Sequence, residues 1–196
     1  MSYTPGAGGQ SALTPPPAAA SLTAVNVTTA TIADSAVGLF INAPDISNSH
    51  GQWWLKALAS GAYTLVVRLV PMLLSSNFNC GGLALRDSGG GKLISFEQNV
   101  LTGVQNVAIV QWADANTRSV NAYTHNTGGT LFPWLKIHDD GTTNRTYSVS
   151  QEGVNWLDIL TEGRTTYLGV APNQAGLMVC AQGQPTAMTV SSWAGA

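Results

Sequence analysis

The feature that most constrains the fold is a long succession of short segments in which apolar and polar residues alternate. From residue 21 onward such segments follow one another, for example AYTLVVRLV, GKLISFEQ and NVAIVQWAD, and clusters of Gly, Asn, Asp and Pro separate them. This period of two is typical of strands that bury one face, and no window of a dozen residues shows a convincing helical period. The sequence predicts an all-β protein, an antiparallel jelly-roll sandwich of two packed sheets.

The composition narrows the classes of partner. Charged residues make up only 9% of the chain and the net charge is −2, so there is no basic surface for nucleic acid. The longest apolar stretch, YTLVVRLVPMLL, contains Arg68 and Pro71 and predicts no membrane insertion. The first residues, MSYTPGAGGQ, lack the basic start and apolar core of a signal peptide. We therefore expect synthesis and assembly in the cytoplasm.

Residues 1–20, MSYTPGAGGQSALTPPPAAA, differ from the rest of the chain. They contain no charged side chain and no periodicity, and their three consecutive prolines favour an extended polyproline form. The sequence predicts an extended N-terminal arm at 1–20 and a β-sandwich domain at 21–196, with the arm packed against its own domain or a partner. The candidate attachment residues are Tyr3, Pro5, Leu13, Pro15, Pro16 and Pro17.

Two adjacent tryptophans stand in the segment QWWLKALASG, which fits either a strand or one short helical turn. In a strand, Trp53 and Trp54 point to opposite faces, so they cannot share one core. We expect one of them to be covered by another chain or by the arm. Three roles stay open for the outward ring: a protomer or partner interface, packing under the arm, and stacking on a glycan.

The four other tryptophans begin or interrupt alternating segments, and we expect all of them in the core. They are Trp112, Trp134, Trp156 and Trp193. Trp134 and Trp156 follow turns, which predicts that both lie between the sheets.

The two cysteines, Cys80 and Cys180, are too few for a disulfide framework or a zinc cluster. Similar phrases surround them, CGGLALRD and GLMVCAQG, which suggests neighbouring strands. Buried free thiols are the main prediction. A disulfide formed after release from the cell is the alternative.

The order of four phrases carries a family resemblance. YTLVVRL is followed by GLALRDSGGGKLISF, then by WLKIHDDGTTNRTYSVSQEGVNW, then by AGLMVC and AMTVSSW. Residues 60–193 thereby resemble the concanavalin A-like/laminin G-like sandwich, in the version found in uncharacterised bacteriophage virion proteins of the tail and fibre region. The resemblance rests most on residues 82–88, 134–145 and 150–156 and on Gly176. It implies virion structure and sugar or surface binding, without an established catalytic role.

Three adjacent polar residues, His138, Asp139 and Asp140, invite a catalytic interpretation. Acid–base catalysis needs groups that converge from different strands, whereas these stand at a strand end beside an Asp-Gly turn. We interpret them as turn chemistry and predict no catalytic residue, no metal site and no cofactor. Calcium is the alternative, with Asp139, Asp140 and Asn144 as weak candidate ligands.

The leading functional prediction is a non-enzymatic structural protein of a bacteriophage virion, associated with the tail or fibre. Its expected partners are other virion proteins, reached through the arm, and further copies of itself. A capsid decoration or head-fibre protein is the first alternative. A carbohydrate-binding module that recognises host surface glycan is the second, and an enzyme acting on polysaccharide is a distant third.

Overall fold

Within residues 13–44, 50–72 and 77–195, which the computed structural model describes, fourteen β-strands form two antiparallel seven-stranded sheets. Sheet A has the spatial order β1 (Thr23–Val25), β4 (Gln52–Ala57), β13 (Gln174–Cys180), β6 (Cys80–Arg86), β7 (Leu93–Leu101), β8 (Val104–Asp114) and β9 (Thr117–Asn126). Sheet B has the order β12 (Leu157–Gly163), β11 (Asn144–Ser150), β10 (Trp134–Asp139), β5 (Tyr63–Met72), β14 (Thr186–Ala194), β3 (Gly38–Ala43) and β2 (Thr31–Ser35). A short 3-10 turn, Ala19–Ser21, precedes β1.

The sheets pack face to face because each inner strand turns a row of apolar side chains toward the other sheet. In β5, Leu65, Val67 and Leu69 are fully buried in the core between the sheets, whereas Thr64 and Val70 are exposed. The predicted antiparallel jelly-roll sandwich is confirmed. In the described ranges no helix has the length and apolar character needed to cross a membrane.

The segment QWWLKA forms strand β4, which decides between the strand and the helical turn. Trp54 packs in the core between the sheets, while Trp53 lies in a second apolar cluster on the outer face of sheet A. Both indoles are buried in the single chain. The expectation that another chain or the arm covers one of them is not met for another chain, since both are covered within the single chain. The apolar residues clustered with Trp53 belong to the sandwich and not to residues 13–20 of the arm. Neither indole offers a free ring to a glycan.

The second cluster is closed by this chain's own loops. The Trp53 ring stands edge-on to Trp112 with 5.1 Å between centroids, and its indole N–H donates to the Ala115 carbonyl at 3.1 Å. On the other side, a Cβ at Gly51 would lie only 2.4 Å from the Trp53 ring. The absence of a side chain at Gly51 therefore makes room for the indole.

The remaining tryptophans do not all lie where the sequence suggests. Trp193 is in the core between the sheets, as predicted, and Trp112 is buried in the second cluster. Trp134 is buried outside both clusters, against Gly153, where a Cβ would meet its ring at 2.7 Å. Trp156 is only half-buried. The prediction that Trp134 and Trp156 lie between the sheets is wrong. Strand β10 turns its odd-numbered residues inward, which sends Trp134 to the outer face. Trp156 lies just before β12 and contacts Lys136 on that same outer face.

The two cysteines are directly opposite each other on β6 and β13, which confirms the prediction of neighbouring strands. Cys80 and Cys180 are free thiols and fully buried, so the main prediction for them is confirmed as well. Burial raises the pKa of the Cys80 thiol well above its ordinary value. Both thiols therefore act as small apolar side chains of the second cluster.

The described part of the arm, from residue 13, lies against its own domain. The backbone N–H of Trp193 donates to the Thr14 carbonyl at 2.9 Å. The backbone N–H of Thr14 donates to Ser192 Oγ at 2.9 Å. Of the candidate attachment residues, Leu13 and Pro15 are exposed, Pro16 and Pro17 are half-buried, and Tyr3 and Pro5 lie outside the described residues. Attachment of the arm to a partner stays a prediction.

The contrast between Trp53 and Trp156 can be tested by truncation. Trp53→Ala should lower the free energy of unfolding by about 3–5 kcal/mol, because it leaves a large cavity under fixed loops. Trp156→Ala should lower it by a smaller amount, about 1–2 kcal/mol, because part of that ring is already exposed. Denaturant unfolding of both variants measures the difference. Equal losses would show that Trp156 is packed as tightly as Trp53.

Candidate functional site

The outer face of sheet B carries a polar groove where β5, β10, β11 and β12 lie side by side. Each strand presents alternate residues to this face, and the pairing places Lys136 opposite Ser148 and Ser148 opposite Asp158. The groove has a volume of about 280 Å³. It is lined by Thr64, Lys136, His138, Thr146, Ser148 and Asp158, and we call it the sheet B groove.

A β-bulge in β12 brings Asp158 to the groove. The register shifts between Tyr147 and Ser148, so that Tyr147 pairs with Leu160 while Ser148 pairs with Asp158. The extra residue changes the faces along the strand. Asp158 therefore points outward, whereas Glu162 points inward and contacts Tyr147.

Hydrogen bonds hold the walls of the groove. Ser148 Oγ donates to Asp158 Oδ1 at 2.6 Å, and His138 Nδ1 lies 2.8 Å from Thr64 Oγ1. Each bond joins side chains from two adjacent strands. The polar groups are thus fixed before a ligand arrives, which reduces the ordering cost of binding.

An aromatic ring lies beside the groove, against one of its lining residues. The Lys136 ammonium lies 4.5 Å from the centroid of the Trp156 ring, a cation–π contact. Both side chains are half-buried, so each keeps surface that a ligand can contact. Among the described residues no carboxylate forms an ion pair with Lys136.

A wider groove of about 560 Å³ lies between the arm and the turn that joins β2 to β3. Its lining is mostly Pro, Ala, Val and other small side chains, and its charged groups already have partners. Asp34 accepts the Ala19 N–H at 2.9 Å, and Arg68 donates to Ser191 Oγ at 2.9 Å. The sheet B groove is smaller but is lined by more polar side chains, among them Lys136 with no ion pair in the described residues, so it is the stronger candidate for a polar ligand.

The three neighbours His138, Asp139 and Asp140 do not converge, because strand alternation separates them. His138 points outward into the groove. Asp139 is fully buried, with Oδ1 2.7 Å from Arg164 Nε and accepting the Gly141 N–H at 2.8 Å. Asp140 stands in the turn after β10. This geometry supports the interpretation as turn chemistry for the two aspartates, whereas His138 belongs to the candidate site.

Asp140 closes the turn between β10 and β11. Its carboxylate accepts backbone N–H groups from Thr142, Thr143 and Asn144 at 2.6–3.1 Å. These bonds lower the pKa of Asp140 to about 2. Asp139 is meanwhile held by Arg164, so the weak calcium candidates Asp139, Asp140 and Asn144 do not form one ligand set. Within the described ranges no three His, Cys, Asp or Glu side chains are grouped to hold a metal ion.

Behind the groove, charged residues that point inward are paired with one another. Arg145 is fully buried, and its Nε donates to Glu162 Oε1 at 3.2 Å. Tyr147 donates its hydroxyl to the same oxygen at 2.8 Å, and burial raises the pKa of this phenol well above its ordinary value. The network joins β11 to β12 and so fixes the strands that carry the groove.

The outer face of sheet A also holds polar groups, but they are closed in. The buried Glu97 carboxylate accepts Ser95 Oγ at 2.6 Å and Asn99 Nδ2 at 3.0 Å, and Arg118 lies 3.5 Å away. The Trp112 indole donates to Ser95 at 2.9 Å and covers this network. Because these groups are buried and bonded mainly to one another, this face is a poorer candidate than the sheet B groove.

Comparison with solved structures finds many sandwiches of the same fold. A functionally unknown protein from Saccharomyces cerevisiae has a TM-score of 0.70 at 16% identity, over 92% of this chain and 98% of its own. A legume lectin-like domain from Entamoeba histolytica has a TM-score of 0.60 at 10% identity, over 90% of each chain. The carbohydrate-binding module CBM66 from Bacillus subtilis has a TM-score of 0.58 at 14% identity, over 94% of this chain and 96% of its own.

These similarities show a concanavalin A-like, legume-lectin-like fold. Portions of two GH43 glycoside hydrolases also match, but only 36% and 32% of those longer chains are covered. Neither profiles of protein families nor curated proteins give a significant match. None of these findings links the chain to bacteriophage tail proteins, so the virion assignment stays a prediction from the sequence.

The sequence interpretation missed Lys136, Ser148 and Asp158, although all three lie in or near the stretch that it emphasised. A usable pattern was present, because the even-numbered residues of β10 and β11 are mainly polar and share one face. The contribution of Asp158 could not be found in this way, since a bulge sets its direction.

The turn that Asp140 closes predicts that the stability of the protein depends on pH. Asp140→Asn should lower the melting temperature at neutral pH, because an amide oxygen accepts the three N–H groups less strongly than a carboxylate. The folded pKa of about 2 lies below the ordinary value of 3.8. The stabilisation is therefore complete above about pH 4 and is lost as the pH falls toward 2.

Thermal melts of the natural protein and the variant between pH 7 and pH 2 measure this effect. The difference in melting temperature should shrink below pH 4. A difference that stayed constant down to pH 2 would show that the carboxylate charge does not hold the turn.

Proposed function

We propose that this protein binds carbohydrate, and that the sheet B groove is the binding site. The observation that carries the proposal is the partly exposed Trp156 ring, which contacts Lys136 beside a groove lined by hydroxyl and charged groups. A sugar presents an apolar C–H face and a rim of hydroxyls, so it needs an aromatic surface next to fixed donors and acceptors.

The contents of the groove match those requirements. Thr146 supplies a hydroxyl, Asp158 supplies an acceptor for sugar hydroxyls, and Lys136 supplies a donor. Ser148 is fully buried, and its hydroxyl orients Asp158. Ligand pockets for drug-sized molecules start at about 300 Å³, so a groove of about 280 Å³ suits a single sugar unit of a longer glycan. An open groove on a sheet face also lets the rest of the chain extend into solvent.

The comparisons support this class of function. Proteins of the same fold are described as a legume lectin-like domain and as a carbohydrate-binding module. The identities are too low to transfer a ligand, so the support is for the class alone.

We further propose that binding is not coupled to hydrolysis. Glycoside hydrolysis generally uses two carboxylates on either side of the scissile bond. Asp158 is the single carboxylate among the six residues that line the groove. The sheet A carboxylate, Glu97, is buried and bonded to its neighbours.

Host-surface glycan is the ligand that would join this function to a bacteriophage particle. Placement on a tail or fibre, attachment through the arm and self-association remain predictions from the sequence. Electron microscopy of a particle that contains the chain would test the placement directly.

A glycan array, followed by calorimetry on the sugars that bind, tests the proposed site. Trp156→Ala and Asp158→Asn should each weaken binding by about tenfold, because one removes the stacking surface and the other a charged acceptor. Phe40→Ala is the matched control, since Phe40 is an exposed aromatic residue on sheet B outside the groove.

The control should bind like the natural protein, and all three variants should melt cooperatively. Absence of binding to every glycan on the array would refute the proposed function. Binding that survives both groove variants would place the site elsewhere on the protein.

A further inference from the structure

We infer that the sheet B groove selects sugars that carry a carboxylate, such as uronic acid units. This inference rests on the proposed function and adds the ligand class. Its basis is a charge in the groove that the protein itself leaves without a counter-ion.

Lys136 carries a positive charge that no carboxylate among the described residues neutralises by an ion pair. The ion pairs within the described residues join Arg118 to Glu97, Arg145 to Glu162, and Arg164 to Asp139. Lys136 instead contacts the face of Trp156 at 4.5 Å. A cation–π contact orients an ammonium group but does not neutralise it, so Lys136 retains N–H donors for an anion.

Asp158, on the opposite wall of the groove from Lys136, determines how a charged sugar is oriented. Lys136 and Asp158 stand on β10 and β12, with Ser148 of β11 between them in the same row. Adjacent strands lie about 4.8 Å apart, so the two charged residues are separated at the backbone by roughly 10 Å. A sugar carboxylate is attracted to Lys136 and repelled by Asp158, while sugar hydroxyls can donate to Asp158.

The same arrangement favours a carboxylate over a phosphate. A phosphate monoester carries nearly two negative charges and is best bound by several donors or by arginine. The groove offers one lysine and places a carboxylate across from it. A singly charged group is therefore the better match.

The test compares glucose derivatives whose main difference is the group at C6. Methyl β-glucuronide carries a carboxylate there, methyl β-glucoside carries a hydroxymethyl group, and glucose 6-phosphate provides the phosphate comparison. NMR titration at low salt should show the glucuronide binding about two- to fivefold more tightly than the glucoside, the range expected for a partly exposed ion pair. The preference should decrease as salt is added.

Substitutions assign the preference to one side chain. Lys136→Met keeps the length of the stem but removes the charge, and it should abolish the preference for the glucuronide. Lys136→Arg should retain it. Lys92→Met is the matched control, because the Lys92 ammonium also lies over an aromatic ring, Tyr167 at 5.1 Å, and its loss changes the net charge equally. This control should keep the preference.

The possible outcomes separate the inference from the function on which it rests. Equal binding of glucuronide and glucoside, or a preference that survives Lys136→Met, would overturn the carboxylate inference and leave carbohydrate binding intact. Tighter binding of glucose 6-phosphate would overturn the choice of carboxylate. If these three ligands do not bind, the same comparison is made on array glycans with and without uronic acid. A complete absence of glycan binding would refute both proposals.

Discussion

The strict alternation of side chains in β10 and β11 is the constraint on which the rest of this structure depends. Odd-numbered residues such as Ile137 and Tyr147 enter the core between the sheets, and even-numbered residues such as Lys136 and Ser148 face outward. A strand cannot assign one side chain to both faces. The same hairpin therefore supplies part of the core and most of the candidate binding groove, and a register slip of one residue would exchange them.

The inward charges on these strands are tolerated because each has a partner. An isolated charge in such a core is costly, whereas Arg145 with Glu162 and Asp139 with Arg164 form pairs. These pairs tie β11 to β12 and the end of β10 to the segment after β12. Rigid support on the inner side gives the groove fixed walls on the outer side. Lys136, with no such partner, is then the group through which the groove can recognise an external charge.

The outer faces of the two sheets differ in how far the chain covers them. On sheet A, Trp53 and Trp112 pack against each other beneath the chain's own loops, which turns an outer face into a second apolar cluster. On sheet B, the corresponding region near Trp156 is left open. The indoles on the outer face of sheet A are thus both covered, whereas on sheet B Trp134 is buried and Trp156 stays partly exposed.

The local pattern of the sequence determined the strands and with them the all-β class. It also determined the Asp-Gly turn at Asp140 and the opposite directions of Trp53 and Trp54. Alternation and turn geometry act between neighbours in the chain, so the sequence alone is enough to predict them. Only the tertiary structure decided which faces are covered. The groove requires β5 to pair with β10, about seventy residues later, and a bulge in β12 to turn Asp158 outward. Burial depends on the distant strands and loops that lie over a face, and a pattern with a period of two contains no information about them.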